Sequence, residues 1–304
     1  MKSILILAAL AASVPAAAQV APPPVRPTAP VRVPAVAAAP RTILFIGNSF
    51  TQGAHSAVRN YRANSVTDLM RAGYGGVPAL FKLFTEQAGL NFNVSLETQG
   101  GQTLGFHLND RRQVIDRAWD NVVLQDLSTY SRATPGDPAT HIRDAGALAA
   151  MLRRANPRVQ VELMATWSRA DQVYRPGTPW SGASIYKMAE DLQRGSEAAR
   201  AASRDISGVI PVGRAWNAAI ARGVADANPY DGIAFGQVNL WAHDHYHGST
   251  AGYYLEALTV FGKVTGLDPR TLGARERAAD ELGLSGAQAV ALQTAAAEAL
   301  GLAR

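Results

Sequence analysis

The sequence predicts an α/β fold in which a parallel sheet of about five strands is covered by helices on both faces. Short apolar runs, typical of strands buried on both faces, alternate with longer segments whose apolar residues recur at helical spacing. This alternation of strands and helices is the pattern of a parallel sheet. Such sheets bind ligands at the carboxyl ends of their strands, so we expect functional residues in the loops after the first three predicted strands.

The first half of the chain supplies three of the predicted strands. The run at 42–46 is continuously apolar and ends at Gly47. A helix is expected over 77–88, where apolar residues stand three or four positions apart. A second strand at 92–98 stops before a pair of glycines, and a third spans 121–125.

The second half continues the same alternation. Its apolar patterns predict, in order, a helix at 142–152, a strand at 159–165, a helix at 186–202, a strand at 208–212 and a last core helix at about 251–264. From about residue 267 the chain is rich in alanine. There Ser285, with Gln288 three positions later, resembles a capping box that opens a helix to residue 300. We expect this helical tail to pack on the same domain.

Composition excludes several classes of protein. The 304 residues are 47% hydrophobic and 17% charged, which excludes a disordered or collagen-like chain. The absence of cysteine excludes a disulfide framework, a thiolate zinc site and a cysteine nucleophile. The formal net charge of +5 comes from scattered arginines, so no nucleic-acid partner is predicted.

Residues 1–18 have the pattern of a secretory signal peptide. One basic residue, Lys2, precedes a short apolar run, and an Ala-x-Ala motif closes the segment at Ala18. The run is shorter than the ~20 apolar residues that cross a bilayer, so the pattern predicts export to the periplasm or the extracellular space without a membrane span. The proline-rich residues 19–40 are predicted to be an extended linker to a domain at 41–304.

A serine stands directly after the first predicted strand, in the run Gly47-Asn48-Ser49-Phe50-Thr51-Gln52-Gly53. At the carboxyl end of a strand, Ser49 is well placed to act as a nucleophile, and its backbone N–H is able to help hold an oxyanion. Serines at such positions also serve as turn or cap residues. The assignment therefore depends on a base elsewhere in the chain.

Half of the six histidines lie within five positions, at His243, His245 and His247. Asp244 stands three residues before His247, so on a helical turn its carboxylate reaches Nδ1 and leaves Nε2 able to accept a serine proton. On an extended strand the three histidines would instead share one face, as zinc ligands do. The spacing leaves both a Ser49-His247-Asp244 triad and a metal site open.

The blocks around Ser49 and His247 resemble those of the SGNH, or GDSL-type, hydrolase superfamily. Gly47-Asn48-Ser49 corresponds to its first block, and Asp244-x-x-His247 to its last. Gln99-Gly100-Gly101-Gln102-Thr103 stands where this superfamily has its oxyanion glycine, and Val122-Val123-Leu124-Gln125-Asp126 where it usually has Gly-x-Asn-Asp. The resemblance runs from about residue 41 to 265. It implies a flavodoxin-like three-layer α/β/α fold, esterase chemistry, and neither a metal nor another cofactor.

The resemblance also implies the oxyanion hole. Gly101 is expected to donate its backbone N–H beside that of the serine nucleophile. Asn48 replaces the usual aspartate at a structural position, and the third block lacks its asparagine. Gln125 is the expected replacement as an amide donor, with Ser128 and Thr129 as alternatives because the register of this block is ambiguous.

These features predict a secreted serine esterase that hydrolyses a short acyl ester, such as an acetyl ester, through an acyl-enzyme. The resemblance and the predicted export point to a carbohydrate as the alcohol. A lipase or thioesterase of the same fold, a metal-binding protein and a non-catalytic carbohydrate-binding relative are the alternatives. Chelator sensitivity and covalent labelling of the serine distinguish them.

Aromatic residues in the loop after the fourth predicted strand are candidates for binding the substrate. Trp167 and Trp180, with Tyr174 between them, stand among prolines and glycines. Such rings are suited to stack on a sugar, and the same rings are suited to pack a loop onto its domain.

Overall fold

The computed structural model describes residues 39–302. The predicted signal peptide, the linker as far as residue 38, and residues 303–304 lie outside the described residues. The strands in the described range are β1 (Arg41–Gly47), β2 (Thr67–Asp68), β3 (Phe92–Thr98), β4 (Asn121–Leu124), β5 (Gln160–Met164) and β6 (Gly208–Ile210). The α-helices are α1 (Gly76–Gln87), α2 (Leu104–Asp110), α3 (Arg112–Ile115), α4 (Ala139–Ala155), α5 (Ala170–Val173), α6 (Ile185–Ala202), α7 (Val212–Ala221), α8 (Thr250–Thr265), α9 (Arg277–Glu281) and α10 (Gly286–Ala299). Short 3-10 helices lie at Ala57–Asn60, Ala63–Ser65 and Pro269–Leu272.

The strands of residues 39–302 form one parallel sheet in the order β2-β3-β1-β4-β5-β6. Without the two-residue β2, this is the strand order of flavodoxin-like sheets. The order changes direction at β1, which pairs with β3 on one side and with β4 on the other. In such sheets the ligand site lies beyond the carboxyl ends of the strands at this point.

The two faces of β1 lie in two separate hydrophobic cores. Ile43 and Phe45 pack in a cluster with residues of α1, α7, α8 and α10, whereas Leu44 and Ile46 pack with residues of α2 and α4. This follows from the two-residue period of a strand, which sends successive side chains to opposite faces. The continuous apolar run of β1 is therefore the sequence signature of the three-layer α/β/α fold.

The predicted α/β/α fold is confirmed, with two differences in the sheet. The additional strand β2 has two residues at the sheet edge, too few to leave an apolar pattern in the sequence. The last strand, β6, ends at Ile210 rather than at residue 212, because Pro211 precedes the first residue of α7. Proline has no N–H to continue the hydrogen bonds of a strand.

The alanine-rich tail packs into the core, as the sequence predicts. Ser285 caps α10: its hydroxyl accepts the backbone N–H of Gln288, and its own backbone N–H donates to the side-chain oxygen of Gln288. The helix packs against α7 and α8 through buried residues that include Leu292 and Ala296. None of the helices within residues 39–302 combines the length and apolar character that crossing a bilayer requires.

Glu256 is fully buried in α8, and neither of its carboxyl oxygens has a hydrogen-bond partner among the described residues. Burial raises the pKa of Glu256 well above its ordinary value. The folded protein therefore holds this group protonated where the unfolded chain releases the proton. The free energy of unfolding therefore falls as the pH rises from the ordinary glutamate pKa of the unfolded chain towards the raised pKa of the folded protein.

We expect Glu256→Gln to stabilise the protein increasingly as the pH rises from 5 to 8. The amide keeps the shape of the protonated carboxyl and cannot ionise, so the gain grows by up to about 1.4 kcal/mol per pH unit. Thermal unfolding followed by circular dichroism at both pH values measures it, with the exposed Glu298→Gln as the control. A gain that is the same at both pH values would contradict the ionisation argument.

Candidate active site

The nucleophile candidate, Ser49, lies in a tight turn at the carboxyl end of β1. The turn is closed by hydrogen bonds from the N–H of Gln52 to the carbonyl of Asn48 and from Ala54 to Ser49, both 3.0 Å long. Gly47 is required at its start: a Cβ there would stand 2.3 Å from Oγ1 of Thr51. The turn leaves Ser49 partly exposed, although its neighbours are buried.

The base candidate, His247, lies in a second turn, which precedes α8. The N–H of Ala242 donates to the carbonyl of His247 at 2.7 Å, and the N–H of His245 donates to Ala242 at 2.9 Å. One carboxylate oxygen of Asp244 accepts the backbone N–H groups of His247 and Tyr246, at 3.0 and 3.1 Å. These bonds bend the chain so that the side chains of Asp244 and His247 converge.

The two turns bring three side chains into one hydrogen-bonded chain. Nδ1 of His247 donates to Oδ2 of Asp244 at 2.6 Å, and Oγ of Ser49 lies 2.9 Å from Nε2 of His247. Because the carboxylate holds the proton on Nδ1, Nε2 is left to accept the serine proton. The structure thus brings together the three residues that the sequence predicts as a triad.

Burial and hydrogen bonding set the protonation of this pair. Burial alone would raise the pKa of Asp244, but hydrogen bonds from His247 and from backbone N–H groups outweigh it and lower the pKa to about 2. Burial lowers the pKa of His247 more than the Asp244 carboxylate raises it, and His55 and Arg169 lower it further. At neutral pH the pair is therefore a carboxylate beside a neutral imidazole, which is the form that a general base requires.

We expect the rate of ester hydrolysis to fall in acid, with the midpoint of this fall below pH 6.5, the ordinary pKa of histidine. Activity falls as pH falls because protonated His247 cannot accept the serine proton, and its pKa is lowered. The pH dependence of kcat/KM measures this limb in the free enzyme. A midpoint above pH 6.5 would contradict the assignment of the limb to His247.

Two residues of the cavity have backbone N–H groups without a hydrogen-bond acceptor in the described part of the chain. Ser49 and Gly101 both line a cavity of about 610 Å³, and within residues 39–302 neither N–H donates a hydrogen bond. Gly101 has φ of +71°, a conformation that glycine adopts without strain. Its carbonyl, which belongs to the following peptide unit, accepts a hydrogen bond from Arg132. The N–H groups of Ser49 and Gly101 are therefore candidates for an oxyanion hole.

Gln125 does not occupy the oxyanion position that the sequence predicts for it. Its side-chain oxygen accepts the backbone N–H of Asn48 at 2.9 Å and the hydroxyl of Thr51 at 3.1 Å, while its amide nitrogen donates to the carbonyl of Asp126. The side chain is buried beneath the serine turn and does not line the cavity. Because β4 ends at Leu124, the side chain of Gln125 is directed towards β1, where its hydrogen bonds stabilise the turn that contains Ser49.

The alternatives for that position are also placed by the structure. The hydroxyl of Ser128 accepts a hydrogen bond from Arg169 at 3.3 Å and does not line the cavity. Thr129 does line it, but its hydroxyl donates to the carbonyl of Ser131 at 3.0 Å.

Asp126 is a structural residue of the site that the sequence analysis did not single out. Its carboxylate accepts the N–H groups of Leu104 and Leu127, at 3.0 and 2.7 Å, and Nδ1 of the buried His141 at 2.9 Å. Its carbonyl accepts the side-chain amide of Asn48. Asp126 therefore ties together the loops after β1, β3 and β4. The sequence signal that could have identified Asp126 is its position next to Gln125 in the third block.

Neither tryptophan forms the predicted aromatic platform. Trp167 is fully buried and lies between the rings of Phe50 and Trp216, at centroid distances of 4.1 and 4.5 Å. Trp180 is also buried, and its indole N–H donates to Asp191 away from the serine cavity. Tyr174 is exposed but its hydroxyl donates to the carbonyl of Ala227. The packing interpretation of this loop is the correct one for both tryptophans.

Four other histidines lie near the site or in the core, and the rings of His55 and His243 are neighbours, with centroids 5.3 Å apart. His55 lies beside the site, with Nε2 3.9 Å from Oδ2 of Asp244, whereas His107 is buried and hydrogen-bonded to Glu97. The ring of His245 lies 4.0 Å from that of Tyr230, and His243 is exposed. In the described residues the group with metal-ligand spacing is His55, Asp244 and His247, not the three alternating histidines.

Two solved structures are similar to most of this chain. A DUF4886 family protein from Bacteroides uniformis has a TM-score of 0.59 at 18% sequence identity, over 86% of this chain and 95% of its own. A candidate GDSL-like lipase from Parabacteroides merdae has a TM-score of 0.53 at 18% identity, over 74% of this chain and 95% of its own. This chain has the SGNH hydrolase fold. No family model and no curated protein matches its sequence.

The fold brings together the blocks that carry the resemblance in the sequence. In this sheet the loops after β1, β3 and β4 meet at the carboxyl edge, and the turn before α8 reaches the same edge. Ser49, Gly101 and His247 therefore line one cavity although they are far apart in sequence. The resemblance found in the sequence is confirmed at the level of the fold.

Proposed function

We propose that this protein is a serine esterase in which Ser49 is the nucleophile, His247 the general base and Asp244 the residue that orients it. The observation that carries this function is the continuous chain of hydrogen bonds from Ser49 through His247 to Asp244. Activation of a serine requires a base within hydrogen-bond distance, a fixed tautomer and a neutral imidazole, and these three features support the proposal.

The proposed reaction has two halves. His247 accepts the proton of Ser49 as its oxygen attacks the acyl carbonyl, and the N–H groups of Ser49 and Gly101 bind the oxyanion. His247 then returns the proton to the departing alcohol, which leaves an acyl-enzyme. Water, deprotonated by His247, releases the acid and restores the serine.

We propose a short acyl group, such as acetyl, and a polar alcohol such as a carbohydrate. The cavity supports this choice because Ala54 and Leu127 are its only aliphatic side chains within the described range. Most of the other lining residues have polar or charged side chains, among them Gln52, Thr129 and Arg132. A polar alcohol would find hydrogen-bond partners among these side chains.

A metal site at this position is the alternative that the residues allow. His55, Asp244 and His247 each place a possible ligand atom within 4.8 Å of the others. Tetrahedral zinc ligands at ~2.0–2.2 Å from the ion lie about 3.3 Å from one another. Nδ1 of His247 and Oδ2 of Asp244 are 2.6 Å apart, which is the distance of a hydrogen bond, so the geometry favours the triad.

Labelling and turnover together test the proposed function. The protein is treated with a fluorophosphonate and assayed on p-nitrophenyl acetate, butyrate and octanoate and on acetylated polysaccharides. We expect labelling at Ser49, fastest turnover of the acetyl ester and full activity in EDTA. Labelling that persists in Ser49→Ala, or turnover that requires a metal, would contradict the proposal. Turnover of the p-nitrophenyl esters without release of acetate from the polysaccharides would contradict only the proposal that the alcohol is a carbohydrate.

We also propose that the enzyme is exported, on the signal-peptide pattern of residues 1–18. Cleavage after Ala18 is expected to give a mature chain that begins at Gln19. Intact-mass measurement of the protein from the periplasm or medium of an expressing bacterium tests this. A chain in that fraction that still begins with Met1 would contradict it.

A further inference from the structure

The cavity at Ser49 has an excess of positive charge, even when the Asp244 carboxylate that is hydrogen-bonded to His247 is counted. Arg59, Arg132 and Arg169 line it together with His55 and His247, and no aspartate or glutamate of the described chain lines it. The scattered positions of these arginines along the chain do not predict this arrangement. Three guanidinium groups in one cavity are a distinct chemical environment, because arginine stays charged at any physiological pH.

The three arginines are not equivalent. Arg169 is neutralised by Asp171, 2.6 Å away, and its guanidinium lies 3.5 Å from the centre of the Tyr246 ring. This pairing fixes Arg169 as part of the cavity wall. Because Asp171 balances the charge of Arg169, the excess positive charge of the cavity comes from Arg59 and Arg132.

Arg59 and Arg132 have only neutral partners. Arg59 lies 4.4 Å from the centre of the Tyr74 ring and donates to its hydroxyl, while Arg132 donates to the carbonyl of Gly101. Within residues 39–302 neither guanidinium forms an ion pair, and the buried Nε of Arg59 has no acceptor. A guanidinium has five N–H donors in a planar fork that matches the oxygens of a carboxylate, sulfate or phosphate. Both therefore keep donors for an anion.

The position of Arg132 separates this charge from the oxyanion hole. Arg132 binds the carbonyl of Gly101, which belongs to the peptide unit after Gly101, whereas the N–H proposed for the oxyanion belongs to the unit before it. Arg132 and Ser49 line the same cavity, and the guanidinium is not one of the donors of the proposed oxyanion hole. An anion bound there would hold the ester near Ser49 without competing for the oxyanion donors.

We propose that the substrate carries an oxyanion group, such as a carboxylate or sulfate, that Arg59 and Arg132 bind while the ester lies at Ser49. This inference rests on the proposed esterase function and specifies its substrate class: acetyl or other short acyl esters of acidic molecules. Charge-assisted hydrogen bonds in a partly enclosed cavity are strong enough to select such esters over neutral ones.

Matched acetyl esters test this preference. The substrates are 3-acetoxybenzoate and 3-acetoxybenzenesulfonate, which are anionic, and 3-acetoxybenzamide, which is neutral. Each kcat/KM is divided by the rate of that ester with hydroxide, which removes differences in intrinsic reactivity. We expect the anionic esters to be preferred by about tenfold or more, through a lower KM, and less so at high salt. The ratio between carboxylate and sulfonate identifies which anion fits better.

Charge-neutral variants assign the preference to the two arginines. Arg59→Gln and Arg132→Gln are each expected to lower the anionic-to-neutral ratio by severalfold, and the double variant to abolish it. Arg158→Gln is the control: it removes the same charge from an exposed residue just before β5, at the opposite edge of the sheet. An equal fall in Arg158→Gln would show that the overall charge of the protein, not this cavity, causes the preference.

The outcomes separate this inference from the function on which it rests. Serine-dependent hydrolysis of the neutral ester with no preference for the anionic ones would overturn the anion site and leave the esterase in place. If no ester is hydrolysed through Ser49, the esterase fails. Titration of Ser49→Ala with 3-hydroxybenzoate, followed by NMR, then decides the anion site: binding that Arg132→Gln weakens supports it, and no binding overturns it.

Discussion

Replacing Ser49 with alanine is expected to lower kcat for ester hydrolysis by about 10⁴- to 10⁶-fold. The substitution removes the hydroxyl that lies 2.9 Å from Nε2 of His247, and with it the acyl-enzyme. It removes one oxygen from a partly exposed side chain and leaves the turn held by Asn48, Gln125 and their hydrogen bonds. We therefore expect an unchanged circular dichroism spectrum and an unchanged melting temperature to within a degree or two.

A matched serine variant makes this result specific. Ser203→Ala changes the residue that caps the carboxyl end of α6, at the edge of the sheet opposite to the site, and is expected to keep full activity. Measurements of turnover and of circular dichroism on both variants, under the same conditions, suffice. Unchanged turnover in a folded Ser49→Ala protein would show that another residue is the nucleophile.

Replacing His247 with alanine is expected to be as severe as the loss of Ser49, because the two groups act as one unit. Asp244→Asn is expected to lower kcat by about 10⁴-fold, since an amide holds the imidazole in the wrong tautomer. His243→Ala and His245→Ala are the matched controls within the same loop. They are expected to keep most of the activity, because neither imidazole contacts Ser49.

The metal alternative predicts the opposite pattern for this loop. If the histidines were ligands, His245→Ala would be as damaging as His247→Ala, and EDTA would inactivate the wild type. Activity that is insensitive to EDTA, together with mild effects at His243 and His245, supports the triad. Steady-state kinetics of the four variants, with and without EDTA, measure all of these outcomes.

The fold and the triad could be predicted because their signals are local. The apolar run of β1 marks a strand buried on both faces, and the three-residue spacing of Asp244 and His247 fits one turn. The strand β2 could not be predicted, because two residues are too few to show the alternation of apolar and polar residues that marks a strand.

The errors in the site concern side chains whose environment comes from distant segments. Nothing near Trp167 in sequence shows that Phe50 and Trp216 will stack on its two faces. Gln125 stands in the right block, but the end of β4 one residue earlier turns it towards Asn48 and Thr51. The charge of the cavity could not be predicted for the same reason: Arg59 lies in a 3-10 helix after β1 and Arg132 in the loop after β4, and only the fold brings them to one cavity.

The separation of Ser49 and His247 by 198 residues has a consequence for how activity arises during synthesis and folding. The serine leaves the ribosome with the first strand of the sheet, and its base follows only just before α8, the helix that packs on α1 and α7. A nascent or truncated chain that ends before His247 holds a serine without the base that would activate it. Since contacts this distant in sequence form late, refolding is expected to restore helical circular dichroism before it restores turnover. On the proposed function, esterase activity is therefore expected to appear only when folding is complete, and a chain that ends before His247 is expected to have none.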